Sequence, residues 1–317
     1  MQPEAMNRSK CRKVQPAPGS SVSVQVPAST SNIGPGFDTL GIALQLYDRL
    51  DVTATRSRVV TFVSSLGSTD DEAANLIVSE AAKLFFKRVR CQPFGMIVQL
   101  TSNVPVARGL GAGAALRVGL LAALNELTQT GLDRQQLLEL ATELEHHPEN
   151  AAAATFGGFT AAGFVDGRVR CFRFSVSPRV KFVALIPRYQ ISTMRARQLV
   201  PPMFSRADTL HNLNRAALIA VAFAAGRYEL LRGLLEDRVH QPYRERLVPR
   251  LHRIIKAGEK AGAIGGWLSG SGPTVICVTL KNAPAIARAM QRQLKAAEVK
   301  VLTPDNDGVK ILHCKSG

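Results

Sequence analysis

Apolar and polar residues alternate strictly from Ser21 in "SVSVQVPAS", the period of a strand with one buried face, and "IALQLYDRLDVTATRS" and "VVTFVSS" continue in the same manner. The period then changes. "DDEAANLIVSEAAKLFFKRV" reads as a helix with acids in its first turn, where the helix dipole favours them. After the strand "GMIVQLTS" and a glycine-rich segment, Leu116, Leu120, Leu121, Leu124 and Leu127 fall at helical spacing and predict a helix with one face on the core. Asp133 is placed to cap the helix "RQQLLELATELEHH", and "FTAAGFVDGRVRCFRF" is a hairpin turned at Asp166-Gly167. A boundary falls near Ser177-Pro178. Beyond it the pattern predicts the strand "KFVALIP", helices over 192–200, 206–225, 228–237 and 243–261, and a strand, tight turn and strand in "GGWLSGSGPTVICVTL". The helix "APAIARAMQRQLKAAE" and two short strands close the chain. Interleaved strands and helices in both halves predict an α+β protein of two domains, 21–177 and 178–317, behind a flexible basic tail over 1–20.

Composition narrows the classes open to such a chain. Its 317 residues are 46 % hydrophobic, enough for an ordinary core. The longest apolar run, Ala216 to Ala225, is far short of the roughly 18 residues of a membrane span, and the amino terminus has no apolar signal core. A cytoplasmic protein is expected. Cys11, Cys91, Cys171, Cys277 and Cys314 lie far apart and form no pair at metal-ligand spacing, so reduced thiols are expected. The net charge of +16 attracts polyanions, and the window from Arg168 to Arg197 holds eight basic residues and no acid. Without aromatic interleaving or a nucleic-acid module, solvated surface accounts for most of that charge.

Four stretches concentrate chemistry. "VPVARGLGAGAALRVG" (104–119) runs from a strand into a helix through three glycines, so backbone N–H groups and the positive helix end can converge on an anion. The bland alternative is a tight turn in which Gly109, Gly111 and Gly113 only supply unusual backbone angles. "PASTSNIGPGFDTLG" (27–41) sets Ser, Asn and Asp in a Gly/Pro-rich segment directly after a strand. "ELEHHPEN" (143–150) gathers carboxylates, imidazoles and an amide at a helix end, and "GSGP" (270–273) is a glycine turn between two apolar strands. Each alone reads equally as turn, cap or surface; their presence together points to a ligand site.

The order of these motifs, with "ISTMRARQLVP", resembles the homoserine kinases, a branch of the galacto-, homoserine, mevalonate and phosphomevalonate kinase superfamily. The likeness runs from about residue 22 to the carboxyl terminus. It implies an amino-terminal domain similar to the second domain of ribosomal protein S5, a ferredoxin-like carboxyl-terminal domain, and an active site between them. It further implies ATP and Mg²⁺ as cofactors, homoserine as the small-molecule substrate, a place in threonine biosynthesis and a homodimer. Carried onto matching positions, the resemblance puts the ATP phosphates at Arg108, Gly109, Leu110, Gly111, Ala112, Gly113 and Ala114, the base near Asn75, and Mg²⁺ on Glu145. Glu143 is the alternative metal ligand, on a different side of the same helix. The substrate site resembles Asn32, Asp38, His147, Glu149, Asn150, Thr193, Arg197, Arg244, Gly270 and Gly272, with Glu145, Asn150 and Arg197 as the catalytic set. An ammonium on the substrate suits Asp38, and its carboxylate suits a guanidinium fork from Arg197 or Arg244. For either arginine the bland alternative is a surface salt bridge.

The chain departs from this pattern where metal and phosphate should meet. The family writes Gly-Leu-Gly-Ser-Ser-Ala; this chain writes Gly-Leu-Gly-Ala-Gly-Ala, without the two hydroxyls. Pro-Asp-Asn becomes Pro-Glu-Asn at Glu149, which either shifts the preferred acceptor or points outward. Arg117 adds a cation one turn into the helix, where it either reaches the phosphates or faces solvent or a partner helix. Beside homoserine phosphorylation these departures leave three alternatives: a superfamily kinase with another hydroxylated acceptor, a catalytically weakened nucleotide-binding relative, and a basic nucleic-acid binder.

Overall fold

The computed structural model describes residues 14–65 and 68–317, the side chains of 68 and 69 excepted. The alternating amino-terminal segments form a first sheet from β1 (Ser21–Ser31), β2 (Leu40–Thr55), β3 (Val60–Ser64), β4 (Gly95–Thr101), β5 (Phe159–Val165), β6 (Arg168–Phe174) and β11 (Lys310–Lys315). Its main path is β11-β1-β2-β4-β3, and the β5–β6 hairpin joins through β2. The helices α1 (Ser68–Val89), α2 (Ala112–Thr128), α3 (Arg134–Glu145) and α4 (Glu149–Phe156) supply the apolar faces that bury its core, with Leu116, Leu120, Leu121, Leu124 and Leu127 all inside.

The second sheet has the order β10 (Glu298–Leu302), β7 (Lys181–Ile186), β9 (Val275–Thr279), β8 (Gly265–Leu268), with every neighbouring pair antiparallel. Around it lie α5 (Thr193–Gln198), α6 (Arg206–Ala224), the single turn α7 (Gln241–Arg244), α8 (Leu251–Lys260) and α9 (Ala283–Gln293). Helical expectations are shortened in several places; the last, 283–298, ends at Gln293. Of 228–237 only a 3₁₀ turn at Tyr228–Leu231 is helical. The helix expected over 243–261 is broken where Arg250, after Pro249, takes a left-handed backbone (φ 70°).

Both ends of the described chain return to the first sheet. β11 pairs antiparallel with β1, Ser21 opposite Lys315. Val14 N–H donates to Thr128 O and Gly19 N–H to Ala54 O, so the stretch expected to be tail is tied down from residue 14; residues 1–13 lie outside the described set. A core cluster containing Ala28, Ile42 and Leu44 from the first sheet also contains Phe182, Phe223 and Trp267 from the second half, so the halves share buried apolar surface. A bulge between Pro27 and Ala28 in the β1–β2 ladder precedes the polar end of β1, where Ser29 and Ser31, two apart, share one side.

Candidate active site between the two sheets

A cavity of about 400 Å³ opens between the halves, walled by the glycine loop, the ends of β1 and α3, the start of α4, and the turn at 270–271. Gly109 (φ 75°) and Gly111 (φ 73°) both need the left-handed region. A Cβ at Gly109 would lie 2.1 Å from Ser269 O, and one at Gly111 the same distance from Ser29 Oγ. Gly113 differs: it lies in α2 without a positive φ, and a Cβ there would first meet Arg117 Nη1 at 3.3 Å. Helix α2 starts at Ala112, has no side-chain cap and carries no acid in its first turn, so its leading N–H groups are open to an anion.

The loop is braced from both halves. Ser29 N–H donates to Leu110 O, Ser269 Oγ donates to Gly109 O (2.6 Å), and the Thr30 hydroxyl lies 2.8 Å from Ser269 Oγ. Trp267 Nε1 reaches the same Thr30 hydroxyl at 3.0 Å. Asp48, 2 % exposed, anchors the segment entering the loop by accepting from Ser102 Oγ and from the N–H groups of Asn103 and Val104; burial nonetheless raises its pKa.

At the acceptor end, Arg197 forks onto Asp38 with two hydrogen bonds of 2.9 and 2.7 Å. Asp38 sits at φ 55°, and its N–H donates to Asn32 Oδ1, while Asn32 Nδ2 donates to Gly270 O. Arg244 is 2 % exposed; its Nη1 donates to Gly270 O and its Nε to Ala196 O, and burial pulls its pKa down to about 10. Both guanidinium groups lie over the Phe37 ring, at 5.7 and 5.0 Å from its centroid. His240 stacks on Phe37 and is wholly buried, which lowers its pKa. A neutral ring donating from Nε2 to Gly34 O leaves Nδ1 to accept from Arg244.

Between the two ends, Ser29 Oγ donates to Asn150 Oδ1, and Asn150 Nδ2 donates to Ser31 Oγ and to Glu149 Oε1. Glu149 is 2 % exposed and points inward, with Oε2 unpartnered. His147 Nδ1 lies 3.2 Å from Glu149 Oε1. Burial pushes the imidazolium pKa down, but the Glu149 and Glu145 carboxylates outweigh it and the net shift is upward. Burial likewise disfavours the Glu149 carboxylate, yet His147 and Arg197 hold its pKa below the ordinary value.

Among the expected residues, Asn32, Asp38, Arg108 to Ala114, Glu145, His147, Glu149, Asn150, Thr193, Arg197, Arg244 and Gly270 line one cavity. Gly272 lies behind it in the turn, its N–H donating to Ser269 O. Asn75 is exposed and does not line it: α1 presents positions 70, 73, 74 and 77, one helical face, and Asn75 falls off that face. Arg108 turns its guanidinium to the carbonyls of Val106, Pro187 and Arg188. Glu143 bonds Arg88 away from the cavity, whereas Glu145 faces it and is held by Arg117 Nη1 at 2.5 Å. That guanidinium occupies one Glu145 oxygen and neither 112 nor 113 offers a hydroxyl, so at the loop a Mg²⁺ would be left with Glu145 as its protein ligand, water and phosphate completing the shell. Asp48, Phe37 and His240 escaped the sequence reading. The only signals were a charge amid the apolar alternation of β2 and a His one helical turn before Arg244.

Comparisons with known proteins agree with this architecture. A family model described as GHMP kinases N terminal domain matches residues 75–158, and one described as GHMP kinases C terminal matches 219–296. The chain is 34 % identical over 301 residues to a homoserine kinase of Caldicellulosiruptor bescii, covering 93 % of this chain and 98 % of that one. It is 36 % identical over 293 residues to a homoserine kinase of Moorella thermoacetica, covering 91 % and 99 %. The crystal structure of a homoserine kinase from Cytophaga hutchinsonii shares the fold, with a TM-score of 0.83, 24 % identity and coverage of 97 % and 99 %.

Proposed function

The chain belongs to the GHMP kinases, in their homoserine kinase branch, and from that premise we propose that it transfers the γ-phosphoryl group of ATP to the side-chain hydroxyl of L-homoserine. The observation that carries the acceptor class is the Asp38–Arg197 fork, which faces the same cavity as the open end of α2. An amino-acid zwitterion fits such a pair: its ammonium takes Asp38, its carboxylate takes the guanidinium of Arg197 or Arg244, and its hydroxyl is left facing the phosphates. The acceptor O–P bond forms as the bond from the γ-phosphorus to the β,γ-bridging oxygen breaks, ADP leaves with that electron pair, and the hydroxyl proton is released to solvent. Asn150 is an amide pinned by two serines and Glu149, so it orients rather than removes a proton. The rate then rests on alignment and on the N–H groups at the γ-phosphate.

The same reading includes cytoplasmic residence and a homodimer. Among the described residues no helix is long and apolar enough to cross a membrane, and α6 exposes Leu213, Leu218 and Val221. The deciding experiment is coupled ADP release with ATP and Mg²⁺, comparing homoserine with no acceptor, serine, threonine and mevalonate. Turnover restricted to homoserine is expected. Faster turnover on another acceptor would move the assignment to that molecule, and stabilisation by ATP without any turnover would make the chain a nucleotide-binding relative.

A further inference from the structure

A cavity that holds a polyphosphate must neutralise it, and the cations available can be enumerated. Among the described residues lining the cavity they are Arg108, Arg117, Arg197 and Arg244, with His147 beside them. Arg108 is committed to three carbonyls, and Arg197 and Arg244 stand at the acceptor end beside Asp38 and Gly270. Arg117 remains. It extends from the second turn of α2 toward the first, and its Nη1 is 3.3 Å from where a Cβ on Gly113 would stand. Only 14 % of its side chain is exposed. Nη1 bonds Glu145, Nη2 lies 4.0 Å from Glu80, and the buried Nε has no partner. A guanidinium with donors to spare thus sits under the N–H groups on which phosphates would rest.

We propose that Arg117 is a resident cation of the phosphate site: Gly113 makes room for it, Glu145 aims it, and its free N–H groups bind nucleotide phosphate oxygens. This gives Glu145 a different task from the one its position suggested, orienting a guanidinium instead of ligating a metal. The inference rests on the nucleotide-binding reading above and predicts that affinity for ATP depends weakly on divalent cations.

The test is calorimetric titration of the full chain with ATP, without acceptor, in EDTA and in Mg²⁺. Native protein is expected to bind in EDTA within roughly tenfold of its affinity in Mg²⁺, whereas Arg117→Gln loses roughly tenfold or more in EDTA. Arg117→Lys should recover part of that loss by keeping the charge. Because Arg117→Gln leaves the largely buried Glu145 carboxylate with only His147 near it, the double variant Arg117→Gln/Glu145→Gln is titrated beside it, and melting without ligand reports folding of each. The double variant should show the same loss in EDTA. Equal binding in EDTA by native protein and a folded variant would overturn the role of Arg117 and leave the kinase reading standing. No ATP binding by native protein under either condition would overturn both.

Discussion

Arg197 and Asp38 satisfy each other through a planar fork, and only a ligand bearing both charges can engage the two together without leaving one unpaired. Replacing Arg197 by Ala is therefore expected to raise the acceptor KM about 10- to 100-fold while the KM for ATP stays within about threefold. Steady-state kinetics with each substrate varied in turn decides it, and equal effects on both would remove Arg197 from the acceptor. The neighbouring His147–Glu149 pair sets a pH window. His147 titrates above its ordinary 6.5, so its contribution to stability is complete below 6.5 and is lost as pH rises through the raised value. Glu149 titrates below its ordinary 4.5, so its contribution is complete above 4.5 and is lost as pH falls through the depressed value. Both operate between those limits. Urea denaturation should show the stability gap between native protein and His147→Gln to be widest there and to narrow on the alkaline side; a gap independent of pH would mean that the pair does not form.

Along the loop and α2, the three glycines are not equivalent. Gly111 combines a left-handed backbone with a 2.1 Å approach to Ser29 Oγ, so Gly111→Ala is expected to cost about 2 kcal/mol or more. Gly113→Ala, inside the helix with a single tight neighbour, should stay within about 1 kcal/mol of native. Chemical denaturation of the two variants measures the difference, and similar losses would put the strain elsewhere. Elements with a clear period were legible: β1, α2 and the hairpin at Asp166-Gly167 stand where the pattern put them. Where the sequence misled, a single residue had overridden the period, as Arg250 did by interrupting the helix expected over 243–261. The short α4 was hidden because His146 (φ 63°) and Pro148 restart the backbone within three residues. Most cavity-lining residues were legible through motif order, since motifs at loop ends stay together when the halves close. Phe37 and His240 were not, because their stacking depends on two segments meeting in space.

The two halves are one cooperative body if the cluster joining Ile42 and Leu44 to Phe182 and Trp267 behaves as a single core. The protein offers its own probe. Trp267 is the only tryptophan, fully buried, with its indole N–H on Thr30 of the other half. Thermal melts followed by its fluorescence and by far-ultraviolet circular dichroism should coincide, and a fluorescence change that precedes loss of secondary structure would show the halves parting before they unfold. The pairing of β11 with β1 has a further consequence during synthesis. A nascent chain can pair β1 with β2 early, yet the other edge of β1 waits for Lys310–Lys315, a segment translated long after both. Until that segment has emerged from the ribosome, the edge offers unpaired N–H and C=O groups to any neighbouring strand. The first sheet therefore closes late in synthesis, and premature termination before residue 310 yields a product with an open, aggregation-prone edge rather than a merely shortened enzyme.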